Sequence, residues 1–207
     1  MQEQVYVEGV RFARKVVEEV LEGKELEELL KEAAQKFPHE PRGIFTSIHT
    51  YPDHELRGCI GIPEPVYPFY KALVLSAYWA AFEDSRFPPL CKEELDNVVF
   101  EVSYLTPPKL LRVKDPREYL QLIKIGQHGI IIERGPYRAL FLPQVAVEQN
   151  WSVAEFLSYC CLKAGLEPGC WLDKDTKVYV FEAEVYAEEA PRGKIIRKRL
   201  VYRNSVP

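Results

Sequence analysis

The sequence predicts an α+β protein: two subdomains built on mainly antiparallel sheets, with flanking helices. Three observations lead there. Apolar residues alternate in several runs of strand length, and short turns join those runs, which favours hairpins over helical crossovers. The order β-β-α-β occurs twice, at a spacing of about 80–86 residues. Two helical stripes precede the first copy and belong to neither.

The first stripe, over 4–22, sets Val10, Ala13, Val16, Val17, Val20 and Leu21 at helical spacing and ends at Gly23. A second helix over 25–36 gathers Leu26, Leu29, Leu30 and Ala33 on one side, and both helices read as packing elements. "FPHEPRG" (37–43) breaks the pattern with two prolines and a glycine. "GIFTSIHTYPDHELRGCIGI" (43–62) is a strand, a turn at Tyr51-Pro52-Asp53, and a second strand. "VYPFYKALVLSAYWAAF" (66–82) is a mostly buried helix, and "NVVFEVSYLTPP" (97–108) is a strand closed by a double proline. Residues 107–127 connect to the second copy. There "GIIIERGPYRALFLP" (129–143) is strand, turn, strand, and "SVAEFLSYCCLKAGL" (152–166) is a helix opened by a Ser152–Glu155 capping box. "KVYVFEAEVY" (177–186) alternates again. The expectation is one domain over 1–207, with pseudo-repeats at about 43–108 and 128–188 forming the subdomains.

At 207 residues the chain buries enough surface to need no staples. A charged fraction of 28% against 47% hydrophobic is an ordinary globular balance. The net charge of −4 argues against nucleic acid or an anionic membrane as the main partner. No apolar run has the length of a spanning helix, and the N-terminus lacks a signal-peptide core, so a cytoplasmic protein is expected. Five cysteines without a secretory signal read as thiols. One Met, three Asn and abundant Glu, Lys and Arg lean toward a thermophilic composition, in which an intracellular disulfide is also compatible.

The stretch with the most chemistry is Leu56-Arg57-Gly58-Cys59-Ile60-Gly61. Two glycines in a strand weaken it, which points to a close approach at the backbone. Alternation sends Leu56, Gly58 and Ile60 to the core, and Arg57, Cys59 and Gly61 to the opposite face. Matching apolar faces pairs Ile48 with Leu56 and Ile44 with Ile60, so that Arg57 lies across from Ser47 and Cys59 from Phe45. Three readings follow. Cys59 is a small apolar filler while Arg57 pairs with an acid; or the two form a docking face for an anionic or polar group, its backbone kept accessible by the glycines; or Cys59 is a thiol activated by Arg57. The last needs a partly dry cleft. A charge roughly 6 Å from the sulfur lowers its pKa by about half a unit in water and by about two units at an effective dielectric near 20.

Elsewhere the signals are weaker. His49 and His54 bracket the hairpin turn beside Asp53 and Glu55, but the expected register leaves His54 in the loop, so a polar tip is read and no metal site. Cys160 and Cys161 fall in a core stripe of the 152–166 helix. With Cys170 they make no metal or redox spacing, and core filling is favoured over a disulfide to Cys170. The tail from Arg192 to Arg203 holds six basic residues and no acid. Ile195, Ile196, Leu200 and Val201 argue that it packs on the body. No phosphate loop, dinucleotide fingerprint, nucleophile elbow or kinase signature is present, so no cofactor is predicted.

"LRGCIG" resembles the hallmark of the family named for the AMME chromosomal region gene 1 protein, the AMMECR-type domain. The resemblance continues through "AAFEDSRFPPL" (80–90), "EVSYLTPP" (101–108), "IGQHGIII" (125–132), "LPQVAVEQNW" (142–151) and "FLSYCCLKAGL" (156–166). The sequence departs from the family's usual residues at Ser85, Tyr104 and Phe141. The resemblance implies an α+β fold of two unequal subdomains and no established activity. It also implies an association with Memo-like and radical S-adenosylmethionine proteins, an analogy at the level of fold. Carried onto this chain, the motif positions are Leu56, Arg57, Gly58, Cys59, Ile60 and Gly61, with Asp84, Arg86, Glu101, Gln144 and Glu148 as further polar positions. The expected function is a binding or accessory domain for a small molecule or protein partner. It uses this face, with Ser47 beside the motif. The alternative is an enzyme with Cys59 as nucleophile or redox thiol supported by Arg57.

Overall fold

The computed structural model describes residues 2–199. The chain divides into two units, one built from the residues up to Leu105 plus Glu184–Lys198, the other from Thr106–Ala183.

In the first unit the leading stripe becomes α1 (Gln2–Leu21), with Val10, Ala13, Val16 and Val17 fully buried. α2 (Leu26–Lys36) buries Leu29 and Ala33. The hairpin follows as β1 (Ile44–Thr50) and β2 (Leu56–Ile62), then α3 (Phe69–Phe82). α3 turns Ala72, Ala77, Ala80 and Ala81 inward, and these small side chains let it lie close on β1 and β2. A polar pair sits in that interface. The hydroxyls of Thr46 and Ser76, both fully buried, are 2.8 Å apart and satisfy each other. A short 3-10 helix, Lys92–Asn97, leads into β3 (Val98–Leu105), which is buried along its length and antiparallel to β1. Tyr104, one of the three departures, is buried in this core and donates its hydroxyl to Tyr6 O at 2.8 Å.

The second unit begins with residues the sequence presents as a connection. They form β4 (Lys109–Leu110) and α4 (Tyr119–Leu122), elements of the unit itself. β5 (His128–Arg134) and β6 (Tyr137–Phe141) make the second hairpin, and α5 (Pro143–Glu148), which the sequence reading lacks, follows. α6 (Val153–Lys163) opens with the expected capping box: Ser152 Oγ accepts from the Glu155 N–H, and the Glu155 carboxylate accepts from the Ser152 N–H. β7 (Lys177–Glu188) pairs antiparallel with β5 and β4. From Glu184 onward β7 belongs to the first unit, where it pairs with β8 (Ile195–Lys198). Ile195 of the basic tail is buried as expected; Leu200 and Val201 lie outside the described residues.

Two expectations need correction. The hairpin register is Ile44–Ile62, Phe45–Gly61, Thr46–Ile60, Ser47–Cys59 and Ile48–Gly58, two residues from the expected pairing. A two-residue slip keeps the apolar faces together, so pattern alone cannot choose between them. Phe45 favours the one observed, because its ring fills the place of a side chain at Gly61, 2.1 Å from where a Cβ would stand. An irregularity then pairs His49 with Leu56, leaving Arg57 bulged and Leu56 exposed rather than core-facing. The second correction concerns the thiols. Cys161 and Cys170 are joined in a disulfide, their Cα atoms 6.0 Å apart, because the turn after α6 brings Cys170 back against the helix. Cys59, Cys91 and Cys160 are free.

Candidate functional site

The motif glycines admit the protein's own atoms. A Cβ on Gly58 would stand 2.1 Å from the carbonyl oxygen of Ala80, so glycine is what lets the backbone of α3 settle on β2. With Phe45 over Gly61, both positions are filled, which corrects the expectation of an open backbone around Cys59.

β2 lies at the edge of its sheet, where unpaired N–H and C=O groups are exposed to any passing strand. At Cys59 those groups are taken. Asp84, buried just past the end of α3, accepts the Cys59 N–H on Oδ2 at 2.9 Å, and Arg86 Nη2 donates to the Cys59 carbonyl at 3.1 Å. Arg86 in turn grips Asp84 with Nε at 3.0 Å, Nη2 at 2.7 Å and its own N–H at 3.1 Å. The Arg86 guanidinium holds the Asp84 carboxyl well below the usual carboxylate range, helped by the Cys59 N–H and opposed by burial. The Arg86 side chain is 55% exposed, and its Nη1 makes no hydrogen bond among the described residues.

Since the Cys59 backbone points away from β1, Ser47 and Cys59 form the closer kind of antiparallel pair, and Ser47 Oγ donates to the sulfur at 3.0 Å. Burial pushes the Cys59 thiol up. The Ser47 bond and the Arg86 charge pull it down by less, while Glu101 and Asp84 push it further up. The thiol is therefore neutral near pH 7. One strand further, Glu101 stands opposite Ser47 and takes the Lys198 ammonium at 2.5 Å. In the row Cys59–Ser47–Glu101–Lys198, Glu101 and Lys198 stand at the far end from Cys59 and line a cleft of ≈ 400 Å³ together with His49 and His54. Burial holds His49 below the ordinary imidazole value. Among the described residues no group of three or more His, Cys, Asp or Glu is placed to hold a metal ion.

Arg57 is engaged elsewhere. Its Nε and Nη2 fork onto the Glu94 carboxylate at 2.7 and 3.0 Å, its side chain is 11% exposed, and Phe87 lies against the guanidinium. Glu94 also accepts the Cys91 N–H, which fixes it at the start of the 3-10 helix. The structure thus brings Ser47, Cys59, Asp84 and Arg86 together and holds Arg57 in an ion pair beside them. Ile60 packs against the core, and Leu56 is exposed at the strand's start. Gln144 belongs to the second unit, on α5, where its Oε1 is buried without a hydrogen-bond partner among the described residues; Glu148 ends the same helix. Sequence reasoning missed Glu94 and Lys198. Neither carries a local signal, since each reaches its partner across a long sequence separation.

The family model described as AMMECR1 matches residues 10–186. Protein MJ0810 of Methanocaldococcus jannaschii is 53% identical over 193 residues, covering 93% of this chain and 94% of the relative. Protein NEQ441 of Nanoarchaeum equitans is 58% identical over 179 residues, covering 86% and 98%. The crystal structure of uncharacterized protein PH0010 from Pyrococcus horikoshii matches with a TM-score of 0.83 at 47% identity, over 95% of this chain and 98% of that one. Among the described residues no helix is long and apolar enough to cross a membrane.

Proposed function

The chain belongs to the AMMECR1 family, and we propose that it is a binding or accessory module recognising a carboxylate or phosphate group of a small molecule or protein partner on the LRGCIG face. The observation that carries this reading is Arg86: an exposed guanidinium fixed by a buried carboxylate to both backbone groups of Cys59. A planar fork held this rigidly loses little freedom when an oxyanion docks on its outer edge. The nucleophile reading of Cys59 draws no support from the geometry. Burial disfavours its thiolate, and among the described residues the hydrogen bond at its sulfur comes from a hydroxyl, not a base.

Titration with acetate and with inorganic phosphate, followed by NMR at the Arg86 guanidinium and the Cys59 amide, tests this. Saturable shifts at both groups are expected, with Arg86→Lys weakening binding through loss of the fork and Arg86→Ala abolishing it. Shifts that do not saturate, or that persist in Arg86→Ala, would sink the proposal.

A further inference from the structure

The second unit holds its own cleft of ≈ 400 Å³, and a polar pair in its lining is built in an unusual way. His128 opens β5 and Glu182 stands directly across from it on β7. The N–H of Lys124 donates to His128 Nδ1 at 3.1 Å. A ring nitrogen that accepts this bond cannot carry the proton, so the neutral ring is the Nε2–H tautomer. Nε2 lies 3.8 Å from Glu182 Oε1, too far for a hydrogen bond. Glu182 is held where it is, because Gln127 Nε2 donates to the same oxygen at 2.6 Å. Burial lowers the His128 pKa against the opposing pull of Glu182, so the ring stays neutral at pH 7 and does not close the gap as an ion pair. Leu111, Leu122, Val180, Phe181 and Pro107 supply the apolar part of the lining, and Thr106 and Lys109 complete it.

We infer that this cleft binds a small, largely apolar molecule through a hydroxyl group, whose oxygen accepts from His128 Nε2–H and donates to Glu182 Oε1. A single oxygen at about 2.8 Å from each atom bridges the observed gap. The group must accept and donate at once. An ammonium cannot accept from Nε2–H, and a carboxylate cannot donate to Glu182 and meets its charge. A phenol or an alicyclic alcohol satisfies the polar pair and covers the walls, and the cavity volume suits a ligand of that size. This site is independent of the LRGCIG face, and either reading can fail alone.

Long-range 15N–1H correlation of the His128 ring in the full chain reads the tautomer, and Nε2–H is expected. The probe pair is p-cresol and toluene, the same body with and without the hydroxyl. With p-cresol, His128 Nε2 and the methyls of Leu111 and Leu122 are expected to shift saturably in the millimolar range, as suits so small a ligand. Toluene is expected to bind about tenfold more weakly. Glu182→Ala, at a half-exposed side chain, should weaken p-cresol several-fold while leaving toluene unchanged. An Nδ1–H tautomer, equal affinity for the two probes, or no saturable shift with p-cresol overturns the inference.

Discussion

Arg14 and Glu188, 174 residues apart, meet fork to fork, with Nε and Nη2 donating to the two carboxylate oxygens at 2.7 Å each. Every direction around the pair is occupied. The guanidinium also donates to the carbonyls of Leu95 and Val98, Glu188 accepts the Phe100 N–H, and the Phe100 ring lies 4.7 Å from the Arg14 Cζ. The pair ties α1 to the end of β7 inside the first unit, which is how a segment from beyond Ala183 is fastened to the N-terminal half.

A buried pair this complete is costly to break by halves. Arg14→Ala is expected to lose about 3–5 kcal/mol, because it strands the buried Glu188 charge, and Glu188→Ala somewhat less, because Arg14 keeps Glu18 at 3.4 Å. Arg14→Met with Glu188→Leu together should lose far less, since no charge remains buried. Urea unfolding of the two single variants and the double variant checks this. Additive losses would mean that the two residues are not coupled.

Gly58 is expected to be the least replaceable position of the motif. A Cβ there meets Ala80 O, a backbone atom of α3 that cannot rotate aside, so Gly58→Ala should cost about 3 kcal/mol or more. Gly61→Ala meets the Phe45 ring at the same 2.1 Å, but a side chain can swing away, and a loss of roughly 1–2 kcal/mol is expected. Thermal unfolding ranks the two. The reverse order would show that α3 yields more readily than Phe45.

The same contacts explain what the sequence could and could not convey. Helical stripes such as Val10, Ala13, Val16 and Val17 are local patterns, and they read correctly because burial follows spacing. The hairpin's strands and apolar faces are equally local. Its register is not, since slips of two residues preserve every face and the Phe45–Gly61 contact favours the one observed. The bulge at Arg57 is a further step from pattern, and it inverted the expectation for Leu56. At the site, Ser47 and Cys59 follow from the hairpin pattern, whereas Asp84 and Arg86 come only from the family resemblance. Their convergence depends on where α3 ends relative to an edge strand, which no spacing encodes. The Cys161–Cys170 bridge has the same character, because whether two thiols meet is decided by a turn and not by the interval between them.

Cysteine reactivity separates the two roles offered for Cys59. Burial raises its thiol, and Cys160 is pushed up to about 12 for the same reason. Neutral-pH alkylation followed by mass spectrometry should therefore modify the exposed Cys91 first, Cys59 more slowly and Cys160 only on unfolding. Acidic neighbours raise Cys91 as well, led by its hydrogen bond to Glu93, but nothing shields it from reagent. Cys59 reacting fastest, with an apparent pKa near ~7, would restore the nucleophile reading.

Asp84 supplies the acid response of the site. Its folded pKa is depressed, first by Arg86 and then by the N–H groups of Cys59 and Arg86, against the opposing effect of burial. The unfolded value is about 3.9. A depressed carboxylate stabilises the fold fully above its unfolded pKa, and that contribution is lost as the pH falls toward the folded one. Asp84→Asn keeps the shape but loses the charge-assisted bonds, a penalty of about 1.5–3 kcal/mol at pH 7. The difference between the wild-type chain and Asp84→Asn should hold steady from pH 8 to about pH 5, then narrow through pH 4 and 3, where the carboxyl of the unfolded chain takes up a proton while the folded site still holds it ionised. Urea midpoints measured across that range read the difference directly. A gap that stays constant down to pH 3 would mean that the Asp84 charge does not stabilise the fold, and that Arg86 is held over Cys59 by something other than the buried carboxylate.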